Sequence, residues 1–386
     1  MKNHQVTKKQ AIKKQAVKKK PKKLTKKNKR VLMFAIPAVI FLVVVIAVGS
    51  YVASLINLVK PPDFTGDATL HESDIFEPDD YVTTTTGTTT AANHTTRTTG
   101  KPGDPTTIET TIETTIDPVV ILAEEHDAAL SSLPMAADNQ VYNILLIGTD
   151  NRGNELNGRS DAMLILSVNK RTDKIQIVSL MRALYVKIPG REHSMLNAAF
   201  SWGGASLLKR TVEENFRIPI HDYIVINFYG FEQVIDQIGG ITISLTEAEI
   251  GYLVEKNPGA VLQVGENSLN GRLALWYART RKIDSDFTRT SRQRIVMETL
   301  IRKIGQMSLS ELDGLARQIL PLVKSSRTGS SMLALVADAY AWRNYPIRQM
   351  MIPINNSYKS IVVRGVQMYR FDVTANVEKL QQFLYK

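Results

Sequence analysis

From Val31 to Val59 the chain carries no charged residue, and the run VLMFAIPAVIFLVVVIAVGS holds nothing that bilayer hydrocarbon would reject. At 1.5 Å per residue, about 20 such residues form a helix of roughly 30 Å, the thickness of a membrane core. Residues 31–55 are therefore expected to form one transmembrane helix, and everything else must lie on one side or the other. A cleaved signal peptide is the competing reading, but its apolar stretch is shorter and a small-residue cleavage site would follow. Pro37 is tolerated in a membrane helix, where neighbouring groups can satisfy the freed carbonyl.

Charge sets the orientation. Residues 1–30 hold thirteen Lys and one Arg with no acid, a charge of +14, so the whole-chain +11 leaves −3 for everything after Arg30. The positive-inside rule makes residues 1–30 a basic cytoplasmic tail and sends the rest outside the cell membrane as a single-pass protein. The same accounting removes the electrostatic argument for a nucleic-acid partner, because the basic character belongs to the tail. Cys is absent, so thiol catalysis and thiolate metal sites are excluded, and an exported domain must rest on its own core.

Residues 56–135 are expected to be a Thr-rich extracellular stalk. Thr83 to Thr115 contains seventeen threonines, and TTIETTIETTID is a tandem repeat with too few apolar groups to offset the entropy of ordering. After a short helical stretch near Ile121 to Leu133, residues 136–386 read as one folded domain. Short aliphatic strands are expected at Val141 to Gly148, Ala162 to Asn169 and Lys174 to Met181, followed by alternating helices and strands. That alternation implies an α/β sheet with helices on both faces.

The stretch LNGRLALWYARTRKIDSDFTRTSRQR, Leu269 to Arg294, is the strongest functional signal. Arginine presents a rigid fork of donors that meets phosphate oxygens in pairs, each charge-assisted bond being worth roughly 1.5–3 kcal/mol. If the chain becomes extended after Tyr277, Arg279 and Arg281 fall on one side. Arg289 and Gln293, four apart on the next helix, share a face, with Arg292 beside them. The bland alternative is a salt-bridged surface with Asp284 and Asp286. Upstream, NILLIGTDNRG ends a strand beside Asp150 and Arg152, and GRSDAMLILSVN begins the next beside Arg159 and Asp161. Loop acids at adjacent strand ends can share a hard cation such as Mg²⁺, or they can be turn residues and caps. Phe200, Trp202, Phe228, Phe231, Trp276 and Tyr277 could line an apolar groove or belong to the core. No phosphate-binding glycine loop, nucleophile elbow or HExxH motif is present.

These blocks, together with VSLMRALYVKIPG and the LNAAFSWGGASLLKRTVEENFRIPIHDYIVINFYGFEQVIDQIGGI segment between them, resemble the LytR-CpsA-Psr family from about Tyr142 to the C-terminus. The resemblance implies an α/β/α domain with a central mixed sheet that binds a polyprenyl (undecaprenyl) pyrophosphate-linked glycan, its lipid in an apolar groove. It implies a phosphotransferase that moves the glycopolymer, teichoic acid or capsule polysaccharide, with its linking phosphate to the 6-hydroxyl of N-acetylmuramic acid in peptidoglycan. By motif position, Asp150 and Asp161 would hold Mg²⁺ or Mn²⁺ and serve catalysis together with Arg281. Arg159, Arg182, Arg279, Arg281, Arg289 and Gln293 would grip the pyrophosphate. One departure stands out: the family usually reads Pro-Arg-Asp-Thr/Ser where this chain has Met181-Arg182-Ala183-Leu184, and a frequent Lys is here Met195. Arg182 thus lacks the acid expected beside it. The rival readings are a pyrophosphatase acting on the same lipid and a non-catalytic binder of lipid-linked wall precursors.

Overall fold

The structure is a computed structural model, and it describes residues 118–150, 158–327 and 330–386. The expected cytoplasmic tail, the transmembrane helix at 31–55 and the stalk from 56 to 117 lie outside the described residues. Among those described, no helix is long and apolar enough to cross a membrane.

Six strands form a mixed central sheet: β1 (Val141–Thr149), β2 (Ser160–Asn169), β3 (Lys174–Leu180), β6 (Asp222–Asn227), β9 (Val323–Ser325) and β10 (Ile347–Ile352). Their order is β10-β3-β2-β1-β6-β9. The β1–β2, β2–β3 and β6–β9 pairs are antiparallel, whereas β1–β6 and β10–β3 are parallel. The carboxyl ends of β1, β3, β6 and β10 therefore share one edge with the amino end of β2.

Alternation along the strands decides what covers each face. Leu145 and Ile147 of β1, with Met163 and Ile165 of β2, enter a large core with helices α1 (Pro118–Ser131), α2 (Ala198–Phe216) and α9 (Val373–Tyr385). The residues between them point the other way. Ile144, with Leu146 and Leu166 beside it, packs on Leu335 and Trp342 of α8 (Ser330–Trp342) and on Ile301 of α6 (Asp286–Gly305). Helices thus cover both faces, and the strands read as continuous aliphatic runs because neither face meets water. A third cluster sits beside the sheet, built from α3 (Phe228–Gln237), the β7–β8 hairpin (Ile241–Leu245 and Gly265–Leu269), α4 (Glu247–Lys256) and α5 (Gly271–Arg279).

Two differences from the sequence reading have local causes. The stalk was expected to reach residue 135, but α1 occupies Pro118–Ser131 with His126 and Leu130 buried against the core, and Leu133 follows them in. The helix expected near Ile121 to Leu133 is therefore part of the folded domain rather than of the stalk. From the sequence a helix is expected at about Ser206 to Phe216 with Gly203-Gly204 as a turn before it, but α2 begins at Ala198, with non-helical angles at Gly203 and Gly204 inside it. Gly204 has φ +62°, a conformation in which a side chain is strained, so the glycine pair is a kink within a helix rather than a turn before one.

His221, one residue before β6, gives the fold a pH dependence. Its Nδ1 accepts a 3.0 Å hydrogen bond from the Asn143 backbone N–H, and its ring stacks on Tyr142 at 4.7 Å. Burial is the first cause that lowers its pKa from 6.5. Because the folded value lies below the unfolded one, the unfolded state takes up the proton first, and stability is lost as pH falls below about 6.5. Chemical denaturation of wild type and His221→Gln between pH 7 and 5 should show a shallower decline in the variant.

Candidate functional site

The arginine-rich segment is seated by the motif that opens it. Leu269 ends β8, and the Asn270 side chain caps α5 by accepting from the Leu273 N–H at 2.9 Å. Gly271 donates its N–H to Asp236 at 2.7 Å, and a Cβ at this position would lie 2.2 Å from the Glu232 carbonyl oxygen. Only a glycine lets α5 approach α3 this closely. Gly271→Ala should push the two helices apart and cost on the order of 1–3 kcal/mol, as overpacking does, measurable as a lower denaturation midpoint.

The helix then runs further than the spacing suggested. It continues through Arg279 with Thr280 as its C-cap, so Arg279 is helical and the extended segment that would align Arg279 with Arg281 does not form. Arg279 lies over the Phe228 ring at 4.2 Å and the Trp276 ring at 5.2 Å. It lines a groove of about 260 Å³ with Phe228, Tyr229, Arg272, Leu275 and Trp276. Of the other aromatics expected to line a groove, Tyr277 and Phe200 are core, and Phe231 and Trp202 pack against it.

After a turn, Ser285 caps α6 and Asp286 opens it. Asp286 gathers two arginines: Arg289 Nη2 stands 2.8 Å from its Oδ1 and Arg281 Nε 3.6 Å. Arg289 is 4% exposed, and burial pushes its guanidinium below the usual arginine value. Asp286 and Asp161 act in the opposite direction, while Arg182 and Arg281 add repulsion. Those interactions place Arg182, Arg281 and Arg289 around two carboxylates, Asp161 and Asp286. The Nε of Arg289 is buried and makes no hydrogen bond. One turn on, the Oε1 of Gln293 is also buried without one, and half a rotation of that amide would present a donor instead.

Arg182 follows β3 and is 2% exposed. The acid missing beside it in sequence is replaced across the strands by Asp161, whose Oδ1 stands 3.8 Å from its Nη1. Asp161 is held there by an irregularity. The β1–β2 ladder pairs Gly148 with Ala162 but Thr149 with Ser160, so Asp161 is the extra residue of a bulge. Bulges re-aim a side chain at the end of a strand without disturbing the ladder beyond it. Ala183 and Met195, the other departures, are buried; the Ala183 carbonyl accepts from the Tyr369 N–H at 2.8 Å, and Met195 pairs with Tyr185.

Asp150 and Arg159 lie at the same sheet edge. Arg159 donates Nε and Nη2 to Asp150 Oδ2 at 3.0 and 2.9 Å, and its backbone N–H donates to Oδ1 at 3.0 Å. A residue expected on phosphate and one expected on metal thus hold each other.

Arg292 leaves the group entirely. Its Nε donates to Glu249 at 2.7 Å, Nη1 donates to Asp284 at 3.1 Å and to the Thr280 carbonyl at 3.2 Å, and Nη2 also reaches Asp284. Both acids of the salt-bridged alternative are thus ion-paired, Asp284 with Arg292 and Asp286 with Arg289 and Arg281. Arg294 likewise turns away, donating to Gln349 at 3.3 Å.

Two further residues join the site. The sequence offers Asp286 only in the salt-bridged-surface alternative, although its i,i+3 spacing to Arg289 is visible there. Tyr369 comes from β12 (Val366–Phe371), eighty residues downstream of Arg289, with no local signal. Burial raises its pKa first of all, Asp286 and Tyr358 add to the rise, and Arg182 and Arg281 oppose it, which puts its hydroxyl beside the cluster. Its ring meets Phe287 at 5.6 Å and Tyr358 at 5.5 Å, so an aromatic wall adjoins the charges.

The arrangement can bind a multiply charged oxyanion at the carboxyl ends of parallel strands, the usual place for ligands on open α/β sheets. The carboxylates fit a hard divalent cation by donor chemistry, since both offer oxygen and both lie at the β1–β2 edge.

Comparison with known proteins bears on the family and the fold. The model of the LytR_cpsA_psr family matches residues 83–384. A protein of Oceanobacillus iheyensis named polyisoprenyl-teichoic acid–peptidoglycan teichoic acid transferase TagU is 39% identical over 184 residues, 44% of this chain and 55% of that protein. TagT of Bacillus subtilis, named a transferase of the same kind, is 36% identical over 176 residues, 43% of this chain and 54% of TagT. The chain thus spans about half the length of these curated relatives. The structure of TagT bound to LIIa-WTA superposes with a TM-score of 0.54 at 26% identity, over 64% of this chain and 93% of that one.

Proposed function

The chain belongs to the LytR-CpsA-Psr family, and from that premise we propose that it is a membrane-anchored phosphotransferase attaching a teichoic acid or related glycopolymer to peptidoglycan. The observation that carries this reading is the convergence of Arg182, Arg281 and Arg289 on Asp161 and Asp286, with a buried Arg289 Nε that makes no hydrogen bond. A buried cationic donor left unmatched costs several kcal/mol, and an anion of two phosphates would relieve it.

In this reading Arg182, Arg281 and Arg289 clasp the pyrophosphate, with Gln293 and Tyr369 as neutral donors. Arg279 belongs to the approach, its guanidinium on the aromatic shelf of Phe228 and Trp276, where it could meet phosphate or sugar. The lipid would lie along apolar surface near the cluster. Asp150 and Asp161 would hold Mg²⁺ or Mn²⁺, which when bound supplies neutralisation of phosphate oxygens. For Asp150 to do so Arg159 must let go of it, and the released guanidinium is then available to the donor.

The chemistry asks little covalent work of the protein. The 6-hydroxyl oxygen of N-acetylmuramic acid forms a bond to the glycan-linked phosphorus. The bond from that phosphorus to the bridging oxygen breaks, and polyprenyl phosphate leaves. A carboxylate, Asp161 by position, takes the hydroxyl proton. The arginines hold donor and acceptor in line and stabilise the spreading charge, the main demands of phosphoryl transfer. A single membrane helix, with the N-terminus inside, would keep the enzyme where a lipid-borne donor is confined.

The full chain in detergent, given lipid-linked donor, Mg²⁺ and peptidoglycan, should yield peptidoglycan bearing the polymer and its phosphate. Asp161→Asn should reduce that yield at least a hundredfold. Release of the polymer into solution as its free phosphate monoester, together with polyprenyl phosphate and with none attached to peptidoglycan, would instead assign a pyrophosphatase. Donor binding with neither product, or an undiminished Asp161→Asn, would assign a non-catalytic binder.

A further inference from the structure

Away from the arginine cluster, α1 and the segment leading into β5 (Ser194–Met195) bring together two imidazoles and a carboxylate. One potential ligand atom from each of His126, Asp127 and His193 lies within 4.8 Å of the others. His193 Nε2 is 3.0 Å from Asp127 Oδ1, and His126 Nδ1 is 3.7 Å from the same oxygen. Ligands on tetrahedral zinc, with bonds of about 2.0–2.1 Å, stand roughly 3.3 Å apart, between these two values.

His126 supplies a second, independent observation. Its side chain is 5% exposed, and neither Nδ1 nor Nε2 makes a hydrogen bond. The ring does pack edge-on against Tyr185 at 6.5 Å and Phe371 at 5.9 Å. A phenylalanine would pack as well without burying two polar atoms that lack a hydrogen bond, which is unfavourable. Burial pushes its pKa down to about 4, so the ring is neutral, the form that coordinates metal.

We propose that His126, Asp127 and His193 form a binding site for a borderline divalent cation of the Zn²⁺ class. The cation would fasten α1 to the body of the domain. Two nitrogens and one carboxylate oxygen suit Zn²⁺ and disfavour Mg²⁺, which asks for oxygen in an octahedron. A cavity of about 420 Å³ that His126 lines with Glu125, Tyr185 and Arg370 offers the cation an approach from the His126 side, and a water would complete the fourth position. Lys187 opposes binding: its ammonium donates to Asp127 Oδ2 at 2.6 Å. Its side chain is 43% exposed and can swing to solvent.

Metal-stripped full chain in detergent should be titrated with Zn²⁺ by calorimetry and with Co²⁺ by visible absorption. The expected result is one equivalent bound and the intense absorption of four-coordinate cobalt, with a raised melting temperature. His193→Gln and Asp127→Asn should each weaken binding at least tenfold, and Asp161→Asn should leave it unchanged, which separates this site from the phosphate site. Lys187→Gln should tighten binding severalfold, a gain that a misfolded variant cannot imitate. Absence of stoichiometric binding to the wild type, or undiminished binding in a folded His193→Gln, would overturn the proposal.

Discussion

Arg281→Ala should lower kcat/KM for the lipid-linked donor by about a hundredfold while leaving the melting temperature nearly unchanged. The magnitude follows from the loss of one or two charge-assisted bonds, together about 3 kcal/mol, in a site where charge grows toward the transition state. The sparing of stability follows from the structure. Arg281 is about a third exposed, and Asp286, its partner at 3.6 Å, keeps the closer Arg289 at 2.8 Å. An exposed pair of this kind contributes at most about 1 kcal/mol to folding. Arg281→Lys should recover only part of the activity, because a point charge cannot reproduce the planar fork. Steady-state transfer assays alongside thermal unfolding would check both halves; a melting temperature that fell with the activity would make Arg281 a structural residue.

Arg292→Met should do the reverse. Its guanidinium ties Glu249 of α4, Asp284 and the Thr280 carbonyl together with almost no solvent contact. Removing one member of a buried ionic group leaves the others charged and unmatched, at about 3–5 kcal/mol. For a domain of this size each kcal/mol moves the melting temperature by roughly 2–4 °C, so a fall on the order of 10 °C is expected. Below the new melting temperature the variant should retain most of its kcat, since Arg292 turns away from Asp286, Arg289 and Gln293. Arg292→Met combined with Glu249→Gln should cost less than the two separately, which a double-mutant cycle would measure.

Sequence spacing alone could not separate these two arginines. They stand eleven residues apart in one motif, and period arguments place Arg289, Arg292 and Gln293 together on the first turns of α6. What sorts them is tertiary: α4 brings Glu249 against one side of α6, and β3 brings Arg182 against another. The strands were legible because both faces of the sheet are buried, which leaves unbroken aliphatic runs at Val141, Ala162 and Lys174. Local signals failed where a boundary depends on packing. The helix through Arg279 outlasts its apolar pattern because Arg279 itself rests on Phe228 and Trp276. Helix α1 was legible as a helix near Ile121 to Leu133, but its docking on the core was not, because His126 and Leu130 meet partners far along the chain. The acid facing Arg182 could not be read from its neighbours at all, since Asp161 meets it through strand pairing twenty-one residues away.

The bulge at Asp161 separates two kinds of inheritance in one strand. Beyond Ala162 the ladder is regular, and core packing dictates which residues face inward. Before it, the number of residues between Gly158 and Asp161 can change by one without turning a single core side chain over, because the ladder resumes at Gly148–Ala162 regardless. Lineages can thus lengthen, shorten or redirect the acid-bearing corner while the domain keeps its shape. A one-residue deletion there should give a protein that folds and melts almost normally yet presents its carboxylate to the wrong place.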